Sequence, residues 1–571
     1  MGVPSFYRWL TLSKDKFKCK NVIINEIVDK PDVIDWLMID GNGSFHMCVK
    51  YIIDEFKDGN KNNRIKNIDN PRNELIEQII RSFNEYVNYL IDVLNCENCF
   101  IAIDGVAPIA KITQQRQRRY KYLFDSKMKS DVSELFNTPS QINKDGIHES
   151  NIPLKSIELT PGTDLMEIMH LAIKKYVKTY NNKNVNMMYS SYHSEGEGEH
   201  KILQYIKENI SQEKTIVIYG LDADLIFLSL SVGKNYNIYI MREQQIFNGK
   251  EVNLSDTIAY NYIDVSKLHM LIKNMGILTN DFILLCFLVG NDFLPRLISI
   301  DIKKNGLDKI IDTFLKTFKN QLNDNTPILI KECYDSESKK KTFKINHNSF
   351  LYFLRKIQWT EINIWKYINR RKNENFDHEK AMNNFISGKT ENIDFLDRIQ
   401  FSSREEFYNY YLGTSSIEIN DSDIQNMVSN YITGIEWCFQ YYFNKCASWS
   451  WSYNFPVAPL IKDIINFYPK EVVIKKNKRV LKPVEQLLIA IPPDTYKYVI
   501  EQSIIDKFKN NLEIGYMMPN NFKIDVNKES VYWKCTVKIP NEYYDFINGV
   551  GKLNIKNDKN TISDKLYHNK V

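Results

Sequence analysis

The chain has 571 residues, 43% of them apolar and 13% aromatic, and its 75 Lys and Arg against 70 Asp and Glu leave a net charge of +5. That length exceeds one ordinary hydrophobic core, and that composition builds cores, so a disordered chain is excluded and two or more domains are expected. So mild a charge provides no global field for nucleic acid; any such affinity has to come from local basic patches.

The longest apolar run, FILLCFLVG at 282–290, is half the length needed to span a bilayer, and the N-terminus carries no signal-peptide pattern. A soluble intracellular protein with no membrane contact is expected, cytoplasmic rather than nuclear. Nine cysteines are scattered along the chain, and the one close pair, Cys96 and Cys99, lacks a second pair at zinc-like spacing. It reads as two buried thiols in a reducing compartment.

In chain order, the first strand-length apolar run is DWLMID, ending at Asp40. Leu75, Ile76, Ile79, Ile80, Phe83, Val87, Leu90 and Leu94 then recur at helical spacing. CFIAID follows, ending at Asp104, and TDLMEIMHLAIKKYVKTY repeats the helical pattern. NMMYS leads into HSEGEGEHK, where Glu195, Glu197 and Glu199 are separated only by glycine, and TIVIYGLDAD ends in Asp222 and Asp224. Strands alternating with amphipathic helices predict an α/β fold with a parallel sheet, and ligands bind such sheets beyond the carboxyl ends of the strands. Asp40, Asp104, Glu197, Glu199, Asp222 and Asp224 then share one edge, and Asp292 joins them after the apolar run that ends at Gly290.

A lone strand-end aspartate would as readily cap the next helix. Four strand ends in succession are harder to explain that way. So many carboxylates cannot all ionise together without cations, and hard oxygen ligands suit Mg2+ or Mn2+ better than zinc. Two such ions about 4 Å apart would support phosphodiester hydrolysis.

The segment after Asp104, IDGVAPIAKITQQRQRRYKY, places Pro108 in a first helical turn. Lys111, Gln115, Arg118 and Arg119 then fall on one helical face, a pocket for phosphate beside the metals, though QQRQRR alone would read as a solvated face.

These motifs together carry a family likeness. MGVPSFYRWL, IDGNGSFHMC, IDGVAPIAKITQQRQRR, LTPGT, EGEGEHKI, YGLDADLIFL, FLVGNDFLP, YITGIEWCFQYYFNKCASWSWSYNFPVAP and PVEQLLIAIPP stand in the order found in the Xrn family of 5′→3′ exoribonucleases, which the chain resembles. The family's carboxylate edge is akin to that of the flap endonucleases, so the resemblance implies a flap-nuclease or PIN-like nuclease domain. It implies that the seven acids bind metal and that Lys111, Gln115, Arg118 and Arg119 hold a 5′-monophosphate. His46 matches a histidine that stacks on a terminal base. Trp449 and Trp451 match aromatics along the RNA path, with Trp451 taken as the stacking partner; one of the two is expected to be a core residue, because alternating side chains point opposite ways.

The implied organisation is an α/β nuclease domain over 1–357, a variable polar linker over 358–410, a mostly helical second region over 411–555 that wraps the first, and a polar tail over 556–571. The implied substrate is single-stranded RNA with a 5′-monophosphate. Alternatives are a flap endonuclease or DNA 5′ exonuclease and, in another class, an inactive RNA-binding scaffold, against which the complete set of acids argues. The chain departs from the family pattern at Glu195, Ile109, Ser452 and Asn454. The basic clusters KKNKR at 475–479 and SKKK at 338–341 read as solvated faces.

Overall fold

A computed structural model describes residues 6–12, 30–57, 70–135, 153–181, 184–243, 260–321, 326–335, 340–369, 399–413, 419–509, 517–526, 535–541, 561–563 and 565–569. The predicted strand runs form β1 (Trp36–Asp40), β2 (Asn98–Ala102), β3 (Asn186–Ser190) and β4 (Thr215–Tyr219), joined by β5 (Asn237–Glu243) and β6 (Tyr260–Asp264). With the strand Leu566–His568 they make a seven-stranded sheet in which β3, β2, β1, β4 and β5 lie side by side in that order, all parallel. The strands at its two edges, β6 and Leu566–His568, run antiparallel. The chain moves outward from β1 through β2 to β3 and then returns to place β4 on β1's other side. The sheet therefore changes direction beside β1, where a crevice opens beyond the strand ends.

Alternation along the strands separates two cores. Leu37, Ile39, Ile101, Met187, Tyr189 and Val217 face a layer built from α2 (Gly41–Lys57), α3 (Pro71–Leu94) and α5 (Asp164–Thr179). Met38, Phe100, Met188, Ile216 and Ile218 face the other side. There they meet α1 (Phe6–Leu12), α6 (Gly198–Asn209) and α7 (Asp224–Val232). Apolar residues on both faces of every central strand are what a doubly covered parallel sheet requires.

The second region continues that core. The long helix Asp421–Phe443 sends Tyr431, Ile435, Trp437, Phe439 and Tyr442 into the cluster that holds α7. A separate cluster joins α4 (Ile109–Leu135), through Ile109 and Ile112, to Val484, Leu487 and Leu488 of the helix Pro483–Ala490.

Two readings of the domain layout change. Within the stretch expected to be a polar linker, the helix Arg404–Leu412 buries Phe407 and Tyr408 in the main core, with Phe401 beside them; its aromatic residues are masked on average by interleaved Glu and Asn. Residues 370–398 lie outside the described residues. The expected tail supplies a sheet strand instead, with Tyr567 opposite Tyr189. Strand addition works through the backbone, so three residues with little apolar character suffice. Cys96 and Cys99 are buried thiols not joined in a disulfide, as expected. Ser338 and Lys339 of the SKKK cluster fall outside the described residues, whereas KKNKR is exposed. Among the described residues, no single helix is long and apolar enough to cross a membrane.

Candidate active site

Each acid reaches the site by a local device. Asp40 is the last residue of β1, at the switch in strand order, and Asp104 follows β2 by two residues. Asn42 accepts the Asp104 N–H at 3.1 Å. Glu197 stands at the N-cap position of α6 with its side chain left for the site, Glu199 lies in the first turn, and Asp224 opens α7. Helix N-termini favour such negative charge. The Asp224 N–H donates to Asp222 Oδ1 at 3.2 Å, tying the last pair together.

The glycines of the EGEGE segment allow the approach. Gly196 takes φ +93°, and its N–H and C=O pair with Val106 and Gly105, laying the segment against the residues after β2. A Cβ on Gly105 would fall 1.7 Å from the Ser194 carbonyl oxygen. At Gly198 a Cβ would meet Asp40 Oδ1 at 3.1 Å and Asp104 Oδ1 at 3.3 Å, and the Gly198 N–H donates to Asp104 Oδ1 at 2.6 Å. Glycine lets this backbone lie between two carboxylates without pushing either aside.

Asp292 arrives from outside the sheet. Gly290, at φ +85°, turns the chain after the helix Thr279–Phe287, and Asn291 Oδ1 accepts the N–H groups of Phe293 and Leu294. Lys111 on α4 reaches in opposite, 2.7 Å from Asp292 Oδ2 and 2.5 Å from Glu197 Oε2. The seven predicted acids are thus brought together, with the buried Lys111 ammonium among them.

That charge balance shows in the protonation of the site. Burial, then Asp104 and Asp222, push the Asp40 carboxyl well above its usual range. Burial with Asp222 and Asp224 does the same to Glu199, and burial with Asp292 and Asp222 lifts Asp224 to about 8. Although burial opposes it, Asp292 and Glu197 hold the Lys111 ammonium well above its ordinary value. One oxygen of Glu199, Oε2, is buried with no hydrogen-bond partner. Ligand atoms of Glu197, Glu199 and His200 lie within 4.8 Å of one another, close enough for a shared metal ion.

The predicted phosphate face divides in two. Lys111 is committed to the acids, while Arg119 lies two turns further along α4, donating from Nη2 to Thr160 Oγ1 at 2.7 Å. Its Nη1 is buried and has no acceptor, and burial and then Arg118 lower its pKa to about 10. Gln115 Oε1 accepts from Gln486 Nε2 at 3.5 Å. Arg118 is exposed, as is the outer side of His46 on α2. The His46 pKa is lowered by desolvation from the surrounding protein, with Asp104 opposing and Arg118 and Arg119 adding to the fall. His46 is thus within electrostatic reach of Asp104 and of both arginines.

The two tryptophans differ. Trp451 stacks on Trp437 at 5.0 Å and 26°, lies against Gly434 and has its Nε1 buried without a partner. Trp449 is half-buried, has no aromatic partner among the described residues, and gives its carbonyl to the Ile109 N–H at the start of α4, 2.9 Å away. Of the departures, Ile109 is buried against the Pro483–Ala490 helix, and Ser452 donates to Asn454 Oδ1 at 2.8 Å.

Sequence reasoning missed four contributors. Tyr441 and Tyr442, at the end of the long helix, donate to Glu197 Oε1 at 3.1 Å and to Asp224 Oδ1 at 2.9 Å. Thr160 of the LTPGT motif orients Arg119, and Gln486 of PVEQLL accepts the Ala107 N–H at 3.0 Å while touching Gln115. The motifs were visible; most of their partners lie hundreds of residues away.

A family model described as the XRN 5'-3' exonuclease N-terminus matches residues 1–244, and one described as the Xrn1 helical domain matches 273–392 and 331–546. The chain belongs to the Xrn family. The boundary between the two Xrn models falls before the helix Thr279–Phe287, so Asp292 comes from the second model's range while the other six acids come from the first. Relatives include the 5'-3' exoribonuclease 1 of Homo sapiens, 25% identical over 95% of this chain and 33% of its own length. The 5'-3' exoribonuclease 2 of Arabidopsis thaliana is 23% identical over 95% of this chain and 66% of its own length, and the 5'-3' exoribonuclease 1 of Schizosaccharomyces pombe is 24% identical over 95% and 47%. This Xrn chain therefore spans from a third to two thirds of the length of these relatives.

Proposed function

We propose that the protein is a metal-dependent 5′→3′ exoribonuclease that takes 5′-monophosphorylated single-stranded RNA and releases nucleoside 5′-monophosphates one at a time. The observation that carries the reading is the Arg119 guanidinium, whose buried Nη1 is a donor without an acceptor on the same helix as Lys111. A cation held in this way, beside a second arginine, calls for an anion, and a terminal phosphate accepts forked, charge-assisted bonds from both.

The donor set at the other end of the crevice is dominated by carboxylate oxygens, with His200 beside Glu197 and Glu199, and the orphaned Glu199 Oε2 fits a hard cation, so Asp40, Asp104, Glu197, Glu199, Asp222, Asp224 and Asp292 would hold Mg2+ or Mn2+, two ions in all. Bound ions of this kind polarise a phosphodiester and lower the pKa of the attacking water. Tyr441 and Tyr442 fix the rotamers of Glu197 and Asp224 by donating to them. Lys111 sits between Glu197 and Asp292 and offsets their mutual repulsion. Arg118, Arg119, Gln115 and Thr160 seat the 5′ end, which sets where the first phosphodiester lies. His46 and Trp449 supply aromatic faces that grip a base without reading its identity, while Trp451 is taken up by the stack on Trp437.

Time courses on four RNAs identical except at the 5′ end test the proposal. The monophosphate should be degraded fastest, with hydroxyl, triphosphate and capped ends far behind, and mononucleotides should be the first products. Four equal rates, or internal cuts at DNA flaps, would overturn it.

A further inference from the structure

A second cluster of ligating side chains lies at the far edge of the sheet. Glu167 and His170 stand one turn apart on α5, and His193 follows β3. One ligand atom from each lies within 4.8 Å of the others. The imidazole rings of His170 and His193 are 4.9 Å apart and nearly perpendicular.

The hydrogen bonds around the three are those of oriented ligands. His193 Nδ1 faces the Thr561 carbonyl at 2.8 Å, which can only accept, so that nitrogen carries a proton. Its Nε2 faces a second acceptor, Glu167 Oε2, at 3.1 Å. A neutral His193 would therefore set a lone pair against a carboxylate oxygen. His170 Nδ1 is taken by the Tyr189 hydroxyl at 3.2 Å, and Tyr192 donates to Glu167 Oε2 at 2.5 Å. An Nδ1 held by a carbonyl or hydroxyl, with the other nitrogen turned inward, is the arrangement that orients metal-binding histidines.

A proton on His193 Nε2 would answer the carboxylate but leave His170 unused. Burial and the nearby His193 lower the His170 pKa to about 4, so it is the neutral, ligating form at ordinary pH. A cation on the line between His193 and Glu167 takes all three at once. Lys174, also near His170, is drawn over the Tyr567 ring, its Nζ 5.0 Å from the centroid.

We propose that Glu167, His170 and His193 form a second metal site, distinct from the carboxylate edge, that takes one zinc-class divalent ion and fastens α5 and the C-terminal strand to the sheet. Two imidazoles and one carboxylate are a zinc donor set, not a magnesium one. The side chains of Glu167 and His193 keep 23% and 11% exposure, which leaves the ion a side open to water. The mechanical consequence follows from the neighbours. Thr561 and Ser563 bond His193 and Ser194 directly, and Leu566–His568 pairs with β3. His193 also begins the segment that carries Glu197.

The test uses the full chain, stripped with a chelator and kept in excess Mg2+ so that the carboxylate centre, where His200 lies beside Glu197 and Glu199, is already filled; the His193 and Glu167 variants assign the spectrum. Co2+ should bind at one equivalent with the intense visible bands of a nitrogen-containing site of low coordination number. Zn2+ should displace it and raise the melting temperature by several degrees. His193→Gln should abolish the bands, and Glu167→Gln should weaken Co2+ binding at least tenfold. Glu167→Gln is nearly isosteric and keeps an acceptor for Tyr192, so it decides the matter should His193→Gln fail to fold. Absence of a nitrogen-type Co2+ spectrum in the wild-type chain, or a spectrum unchanged in Glu167→Gln, would overturn the site.

Discussion

The two ends of the crevice are electrostatically incomplete in opposite senses. At the sheet edge, seven acids gather around Lys111, and among the described residues the excess is negative. Two turns along the same helix, Arg118 and Arg119 stand without a carboxylate partner among the described residues, and the excess is positive. A protein gains no stability by leaving either imbalance in place, which is the ground for proposing a cation at one end and an anion at the other. The contrast also separates neighbours that look alike. Arg116, one turn from Arg119, is fully buried, but it donates to the carbonyls of Ile489 and Met517 and lies 4.9 Å from the Tyr120 ring centroid. It is a structural residue, and both its terminal nitrogens are used.

The largest expected effect breaks the negative end. Asp222→Ala with Asp224→Ala should abolish hydrolysis in magnesium while RNA binding, measured by filter retention, falls little. Comparable degradation by the double variant would remove the metal assignment.

Next comes the positive end. Arg118→Ala with Arg119→Ala should erase most of the preference for a 5′-monophosphate, since each charge-assisted bond contributes about 1.5–3 kcal/mol. Arg116→Ala sharpens the comparison. It should lower the melting temperature, because two buried carbonyls lose their donor, and leave the ratio of rates on monophosphate and hydroxyl ends unchanged.

The aromatic contacts should matter less. Trp449→Ala or His46→Ala should each cost about 1–3 kcal/mol of stacking, read as fewer nucleotides released per binding event. Trp451→Ala should instead lower stability through the lost contact with Trp437. The opposite pattern would return the stacking role to Trp451.

The smallest effect concerns the empty-handed acids. In metal-free protein, Asp224→Asn should raise the melting temperature modestly. The folded-state pKa of Asp224, about 8, lies above its unfolded value near ~3.9, so the folded state binds the extra proton and stability falls as pH rises between the two. The advantage of asparagine should therefore grow from about pH 4 to pH 8 and then level off. Added Mg2+ should reverse it.

Much of this was legible in the sequence, for a physical reason. Four runs of strand length ending in acids, separated by periodic helices, specify a parallel sheet and its ligand edge from local pattern alone. What local pattern cannot carry is who meets whom across hundreds of residues. Nothing in EWCFQYYF or its surroundings says that Tyr441 and Tyr442 end on Glu197 and Asp224. LTPGT does not show that Thr160 holds an arginine. Helical spacing puts Lys111 on a face with Arg119 but does not say which end of that face meets the acids, and Lys111 bonds Glu197 and Asp292. The Leu566–His568 strand escaped notice because an edge strand needs only backbone and a single buried ring.

The tyrosines that end the long helix have a consequence for the order in which the protein comes to life. Six of the seven acids have been translated once Asp224 is passed, yet the two hydroxyls that fix Glu197 and Asp224 emerge only after the ribosome has reached Tyr442. A nascent chain holding the central strands of the nuclease sheet would still carry unbraced carboxylates and an open apolar flank. The proposed activity should thus appear only once both hydroxyls are in place, late in synthesis.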